Sequence, residues 1–169
     1  MAAVNKRIAV YPGTFDPLTN GHVSLARRAG DIFDRVVVAV AADTHKQPLF
    51  SLEERLRIAR ESFANQGNIE VDSFSGLLVD YVRQKGAKVV VRGLRAVSDF
   101  EYEFQLALLN RKMRRDIQTI FLMTDYRWLY ISSTIIKTAA GLGGDISGLV
   151  PEPALKMLRE KFALSGEGA

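Results

Sequence analysis

Residues 7–29 read RIAVYPGTFDPLTNGHVSLARRA, and this stretch decides the fold. Its first five residues, 7–11 (RIAVY), form a short apolar run of strand type, closed by the turn pair Pro12-Gly13. A loop, TFDPLTNG, follows, and helical spacing begins at His22 and lasts to Ala29. The next run, 35–42 (RVVVAVAA), is almost continuous in β-branched residues, as in a strand buried on both faces. Ser51-Leu52-Glu53-Glu54 is a capping box that opens a helix reaching about Gln66, with Gly67 placed to take the left-handed stop position. Beyond it the pattern predicts a strand at 69–74, a helix over 76–85 stopped by Gly86, and a buried strand at 88–92. A helix over 98–114, a strand at 117–124 and helices over 132–140 and 151–162 complete the chain. Strands that alternate with helices build βα units, so an α/β fold is expected, with a five-stranded, mostly parallel sheet and helices on both faces. Such sheets bind ligands beyond the carboxyl ends of their strands. The loop that leaves residues 7–11 lies there.

Composition narrows the chemistry. The 169 residues are 47% hydrophobic and 25% charged, in keeping with one domain over 1–169, a core at about 7–162 and a flexible tail at 164–169. A chain of this size can bury about 70% of its unfolded surface, so it needs no staple. With no Cys, thiolate catalysis, disulfides and zinc–thiolate sites are excluded, and two His make a histidine metal cage improbable. No apolar run reaches the roughly 18 residues that span a membrane, and no signal-type segment opens the chain, so a cytoplasmic protein is expected. The net charge of +4 is modest, but residues 83–95 hold five basic residues and no acid, and 111–115 form a second basic run. Without a stronger excess or a recognition helix, a nucleic acid is a poorer partner than a small phosphorylated ligand.

Familiar phosphate motifs are missing. The chain has no GxxxxGK[ST] loop, no GxGxxG after its first strand and no GxSxG elbow. What it offers is Tyr11 to His22. Gly13 and Gly21 permit a close backbone approach to an anion, Thr14 adds a hydroxyl, and the amides of a helix N-terminus face the same space. His22 supplies an imidazole there, whereas His45 matches no role.

The stretch Thr19-Asn20-Gly21-His22 resembles the T/HxGH signature of the nucleotidyltransferase superfamily, and residues 128–137 (WLYISSTIIK) resemble its ISSTxIR-type second signature. Thr19 stands where the common form has its first His, and Lys137 where it has a terminal Arg. With YPGTFDP before the first signature, RGLR at 92–95 and DFEYE at 99–103, the chain is similar to the bacterial phosphopantetheine adenylyltransferase family over about residues 7–162. The resemblance implies a Rossmann-like fold assembled as a homohexamer. It also implies adenylyl transfer from ATP, with Mg²⁺, to 4′-phosphopantetheine, giving dephospho-coenzyme A and pyrophosphate. By position, His22 would stabilise the transition state at the α-phosphate. Thr14 would orient the acceptor phosphate and touch ATP, with Phe15 beside the nucleotide. Lys46 and Arg92 would hold the acceptor phosphate, and Leu78 would contact the pantetheine arm. Gly93, Leu94, Arg95 and Glu103 would line the nucleotide site. Trp128, Leu129, Tyr130, Ile131, Ser132, Ser133 and Thr134 would close over ATP, the two serines meeting its β- and γ-phosphates. No protein side chain is assigned to the metal.

This chemistry suits the residues. A phosphate monoester is largely ionised at pH 7 and can attack phosphorus without a general base, so missing nucleophile machinery is expected. Two alternatives stay open: transfer of adenylyl or cytidylyl to another small phosphorylated acceptor, and an ATP-binding module without turnover.

Overall fold

A computed structural model describes residues 7–44 and 47–163. Five strands, β1 (Ile8–Gly13), β2 (Arg35–Ala41), β3 (Ile69–Phe74), β4 (Val89–Leu94) and β5 (Gln118–Met123), form one sheet in the order β3-β2-β1-β4-β5. Every pairing is parallel, which is the doubly wound arrangement of a Rossmann-like fold. Among the described residues six α-helices alternate with or follow the strands: α1 (Asn20–Ile32), α2 (Leu52–Ser62), α3 (Leu78–Gln84), α4 (Val97–Met113), α5 (Ser133–Gly141) and α6 (Glu152–Ala163). None of the described helices is long and apolar enough to cross a membrane.

The two-residue period of the strands divides the core. Ala9, Tyr11, Val36, Val38, Val40 and Val91 join one cluster with Leu25 and Ala26 of α1, Ile58 of α2, Ile136 of α5 and Leu158 of α6. Val10, Val37, Ala39 and Val90 face the other way and pack with Val79, Tyr81 and Val82 of α3. Both faces are covered, which is why β2 could be an unbroken apolar run.

Several boundaries differ from the sequence reading, and α1 runs over Asn20–Ile32 where 22–29 was expected. Pro12 and Gly13 extend β1 instead of closing it. The β1–β4 ladder stops at Val10 and Val90, and beyond it the Pro12 carbonyl accepts from the Arg92 side chain at 2.8 Å, so a residue without an N–H fits a central strand there. Helix α2 keeps its capping box, Ser51 and Glu54 bonding reciprocally, but it ends at Ser62. The buried Phe63 caps it and a turn over 63–66 follows, so Gly67 is not its left-handed stop. Gly86 does act in that way. At φ 67° it lets Ala87 N–H reach the Val82 carbonyl at 3.0 Å while its own N–H reaches Arg83, which closes α3. Lastly, a 3₁₀ turn, Tyr126–Trp128, stands between β5 and α5.

Helix α4 follows a different pattern. Phe100, Tyr102, Phe104, Leu108 and Leu109 are exposed along it, and so are Ile120 and Met123 on the edge strand β5. An apolar helix of this kind is normally covered.

Candidate active site

The strand order reverses between β1 and β4, and a cleft of about 980 Å³ opens beyond their carboxyl ends. Its walls come from the loop after β1, residues 43–44 and 47–48 after β2, the end of β4, the first turns of α4, and the segment from Trp128 to Lys137. A second cavity of about 360 Å³ joins it at Pro12, Gly13, Thr14, Arg92, Tyr102 and Glu103, and continues between Ala41, Phe74, Leu78, Leu106 and Ala107. The first chamber is rich in polar groups, and the second is bounded mainly by apolar ones.

His22 opens onto the larger chamber from the third position of α1. Thr19 caps that helix, and the two residues form a reciprocal box: His22 N–H donates to Thr19 Oγ1 at 3.4 Å, and Thr19 N–H donates to His22 Nδ1 at 3.0 Å. The Thr19 hydroxyl lies 3.1 Å from the same Nδ1. A ring nitrogen that accepts an amide N–H carries a lone pair, so the ring proton sits on Nε2. Burial lowers the His22 pKa to about 4, with the charges of Arg95 and Arg92 acting in the same direction. The imidazole is therefore a neutral donor at physiological pH.

A titration follows from this. In the ligand-free protein the His22 imidazole resonances should stay those of a neutral Nε2–H ring down to about pH 4. The unfolded chain takes up the same proton near pH 6.5. Between these values the unfolded state binds more protons, so His22 contributes stability above about pH 6.5 that is lost as pH falls through 4. A midpoint near 6.5 in imidazole NMR would contradict the geometry.

Each described cation that lines the cleft already has a carboxylate. Arg92 reaches both oxygens of the buried Glu103, the Nε contact measuring 2.7 Å, and its Nη1 holds the Pro12 carbonyl at 2.8 Å. These bonds use three of the five N–H groups of a guanidinium, so two remain for a ligand. Arg95 donates to Asp99 at 3.1 Å and to the Ile131 carbonyl at 3.0 Å. Lys137 pairs with Asp16 at 2.5 Å. Asp16 is buried and also accepts the N–H groups of Leu49 and Phe50 at 3.0 and 2.9 Å, which ties the loop after β2 to the loop after β1.

The expected site residues are distributed as follows. Thr14 is exposed and lines both chambers, and Leu78 lines the second. His22, Arg92, Gly93, Arg95, Glu103, Trp128, Ile131, Ser132, Ser133 and Thr134 line the first. Phe15 lines it too, but its ring is buried edge-on against Tyr11 and His22, so it offers a ligand mainly backbone. Leu94, Leu129 and Tyr130 stand outside the lining of both chambers. Lys46 lies outside the described residues, as do His45 and the tail.

Several expected roles shift in detail. A Cβ on Gly13 would meet the Phe15 ring at 2.7 Å, and one on Gly21 would meet Trp128 Cβ at 3.3 Å. These glycines make room for protein side chains while they line the cleft. A Cβ on Gly93 would stand 2.4 Å from Leu25, so this glycine seats α1 on the sheet. The Asn20 amide of α1 is taken by the Leu149 carbonyl at 2.9 Å. The Ser132 hydroxyl caps α5, accepting from Ile135 N–H, and the Ser133 hydroxyl donates to Pro17 at 2.8 Å. What the second signature presents to an anion is thus chiefly the start of α5, where Ser133 and Thr134 line the cleft. Sequence reading gave no role to Asp16, Asp99 or Arg55.

The model of the family described as cytidylyltransferase-like matches residues 10–139. The chain is 70% identical to a phosphopantetheine adenylyltransferase of Nitratidesulfovibrio vulgaris (strain DP4) over 156 residues, 92% of this chain and 84% of that one. It is 65% identical to the enzyme so named from Oleidesulfovibrio alaskensis, over 96% of this chain and 95% of the relative. A relative of the same name from Lawsonia intracellularis is 57% identical over 94% of this chain and 92% of its own. The chain belongs to the cytidylyltransferase-like family of nucleotidyltransferases and, within it, to the phosphopantetheine adenylyltransferases.

Proposed function

We propose that this protein, as one nucleotidyltransferase domain, transfers the adenylyl group of ATP to 4′-phosphopantetheine, giving dephospho-coenzyme A and pyrophosphate. The observation that carries the reading is the pair of joined chambers. A polar one holds His22 and the start of α5, an apolar one holds Leu78, and they meet at Thr14 and Arg92. A triphosphate suits the first and a pantetheine arm the second, which leaves the acceptor phosphate at the junction. The relatives' names support the same substrates.

In this reading Thr14 and the two remaining N–H groups of Arg92 orient the acceptor phosphate, and the Lys46 contact implied by the resemblance is a proposal on sequence position alone. The nucleotide contacts of Phe15, Gly93, Leu94, Arg95, Glu103 and residues 128–134 are proposals of the same standing. The acceptor oxygen attacks the α-phosphorus in line, and His22 Nε2–H donates to the oxygen on which charge grows. The start of α5 faces the leaving pyrophosphate. Among the described residues no group of three or more metal-ligating side chains exists, and Asp16, Asp99 and Glu103 are each paired with a cation. A magnesium ion held by the phosphates and water would neutralise charge on the triphosphate. We also place the reaction in the cytoplasm. The exposed apolar side chains of α4 and β5 suit the homohexamer implied by the resemblance, and sedimentation at micromolar concentration tests it.

A panel of acceptors with ATP and pyrophosphate detection tests the function. Turnover is expected with 4′-phosphopantetheine and not with nicotinate mononucleotide or glycerol phosphate. Turnover with one of the latter alone, or ATP binding with no turnover, would overturn the reading.

A further inference from the structure

Arg55 is the largest fully buried side chain among the described residues, although it lies on a helix and lines neither chamber. Burying a guanidinium is costly unless its donors are satisfied. Here Nη1 donates to the Thr14 carbonyl at 2.9 Å and to the Ala41 carbonyl at 2.8 Å, and Nε donates to the Phe50 carbonyl at 3.2 Å. These carbonyls come from three segments: the loop after β1, the end of β2 and the turn that enters α2. Ala41 and Phe50 are the two feet of the loop whose Asp43, Thr44, Gln47 and Pro48 form one wall of the cleft. Thr14 stands where the chambers meet. The next residue, Phe15, is held at φ 49°, a left-handed conformation that is strained for a non-glycine residue. One side chain therefore fixes both feet of a cleft wall and the peptide that precedes a strained residue.

We infer that Arg55 is a positioning residue for the acceptor half of the site. It touches no ligand. It fixes Thr14 and Ala41, both of which line the second chamber, so its loss should misplace the acceptor phosphate while His22 and the start of α5 stay in place. The planar fork matters, because a lysine ammonium at this position cannot present donors to all three carbonyls in the same plane.

The inference rests on the proposed acceptor, and wild-type turnover of 4′-phosphopantetheine is the control for that. The test compares Arg55→Lys and Arg55→Met with Leu56→Ala, a core change on the same helix away from these carbonyls. Steady-state kinetics, calorimetric ATP binding and thermal melting are measured for each. Arg55→Lys should fold, raise the acceptor KM about tenfold and lower kcat by up to about 10²-fold, the scale of a reactant misplaced by about 1 Å. Its ATP dissociation constant should stay within about twofold of wild type. Arg55→Met, if it folds, should show the larger kinetic defect, and Arg55→Lys alone decides if it does not. Leu56→Ala should lose melting temperature without the KM change. If Arg55→Lys keeps the wild-type KM and kcat, or Leu56→Ala with a matched melting loss shows the same KM rise, Arg55 is only a structural residue. If the wild-type enzyme itself does not turn over this acceptor, the functional reading fails first and this inference with it.

Discussion

Replacing His22 with alanine is expected to lower kcat by about 10²–10³, the usual cost of one lost donor aimed at transition-state charge, or roughly 2.7–4 kcal/mol. ATP affinity should barely change, because the base and the other phosphates hold the nucleotide in the ground state. The structure adds a second, smaller effect. Nδ1 of the same ring accepts the Thr19 amide, so the alanine variant also loses half of a capping box. That should cost about 1 kcal/mol of stability, a normal value for a cap. His22→Gln separates the two roles, since glutamine at the third helical position can restore the reciprocal cap but brings no imidazole. It should recover most of the stability and little of the turnover. Near-normal turnover in His22→Ala would mean that the residue only caps the helix. Near-normal turnover in the glutamine variant would mean that an amide donor suffices.

Asp16→Ala should have the largest effect on stability. The carboxylate is 5% exposed and serves the amides of Leu49 and Phe50 together with the Lys137 ammonium. Removing it strands two amides and a cation that is only partly open to solvent. Breaking a buried pair from one side typically costs about 3–5 kcal/mol. For a chain of this length that is a fall of about 6–20 °C in melting temperature. Lys137→Met should cost less, because Asp16 keeps its two backbone donors. A melting temperature for Asp16→Ala within about 2 °C of wild type would show that the loops after β1 and β2 are held by other contacts.

The parts that were legible in the sequence share a physical cause. A strand covered on both faces must be apolar at every position, so β2 and β4 announced themselves. Ser51 with Glu54, and Gly86, marked helix ends because each satisfies backbone groups locally. Gly67 shows the limit of such signals, since Phe63, held in the core, ended α2 before the glycine was reached. The segment from Thr14 to His22 was legible because a strand-to-helix loop of a doubly wound sheet lies at the ligand edge. The links that hold it were not. Asp16 meets Lys137 across 121 residues of sequence, and Arg55 meets Thr14 across 41, and local spacing carries no record of either. Arg55 had one available sign: it falls on the buried stripe of α2 with Leu56 and Ala59, where a charged residue needs internal partners.

In the proposed reaction the acceptor phosphate attacks the α-phosphorus of ATP directly, with no covalent enzyme intermediate and no enzyme base. The most direct test is turnover of 4′-phosphopantetheine with ATP made chiral at the α-phosphorus by sulfur substitution. Dephospho-coenzyme A with inverted configuration at that phosphorus is the result expected of a single in-line displacement. Retention would require two displacements through a nucleotidylated side chain, and would contradict the account.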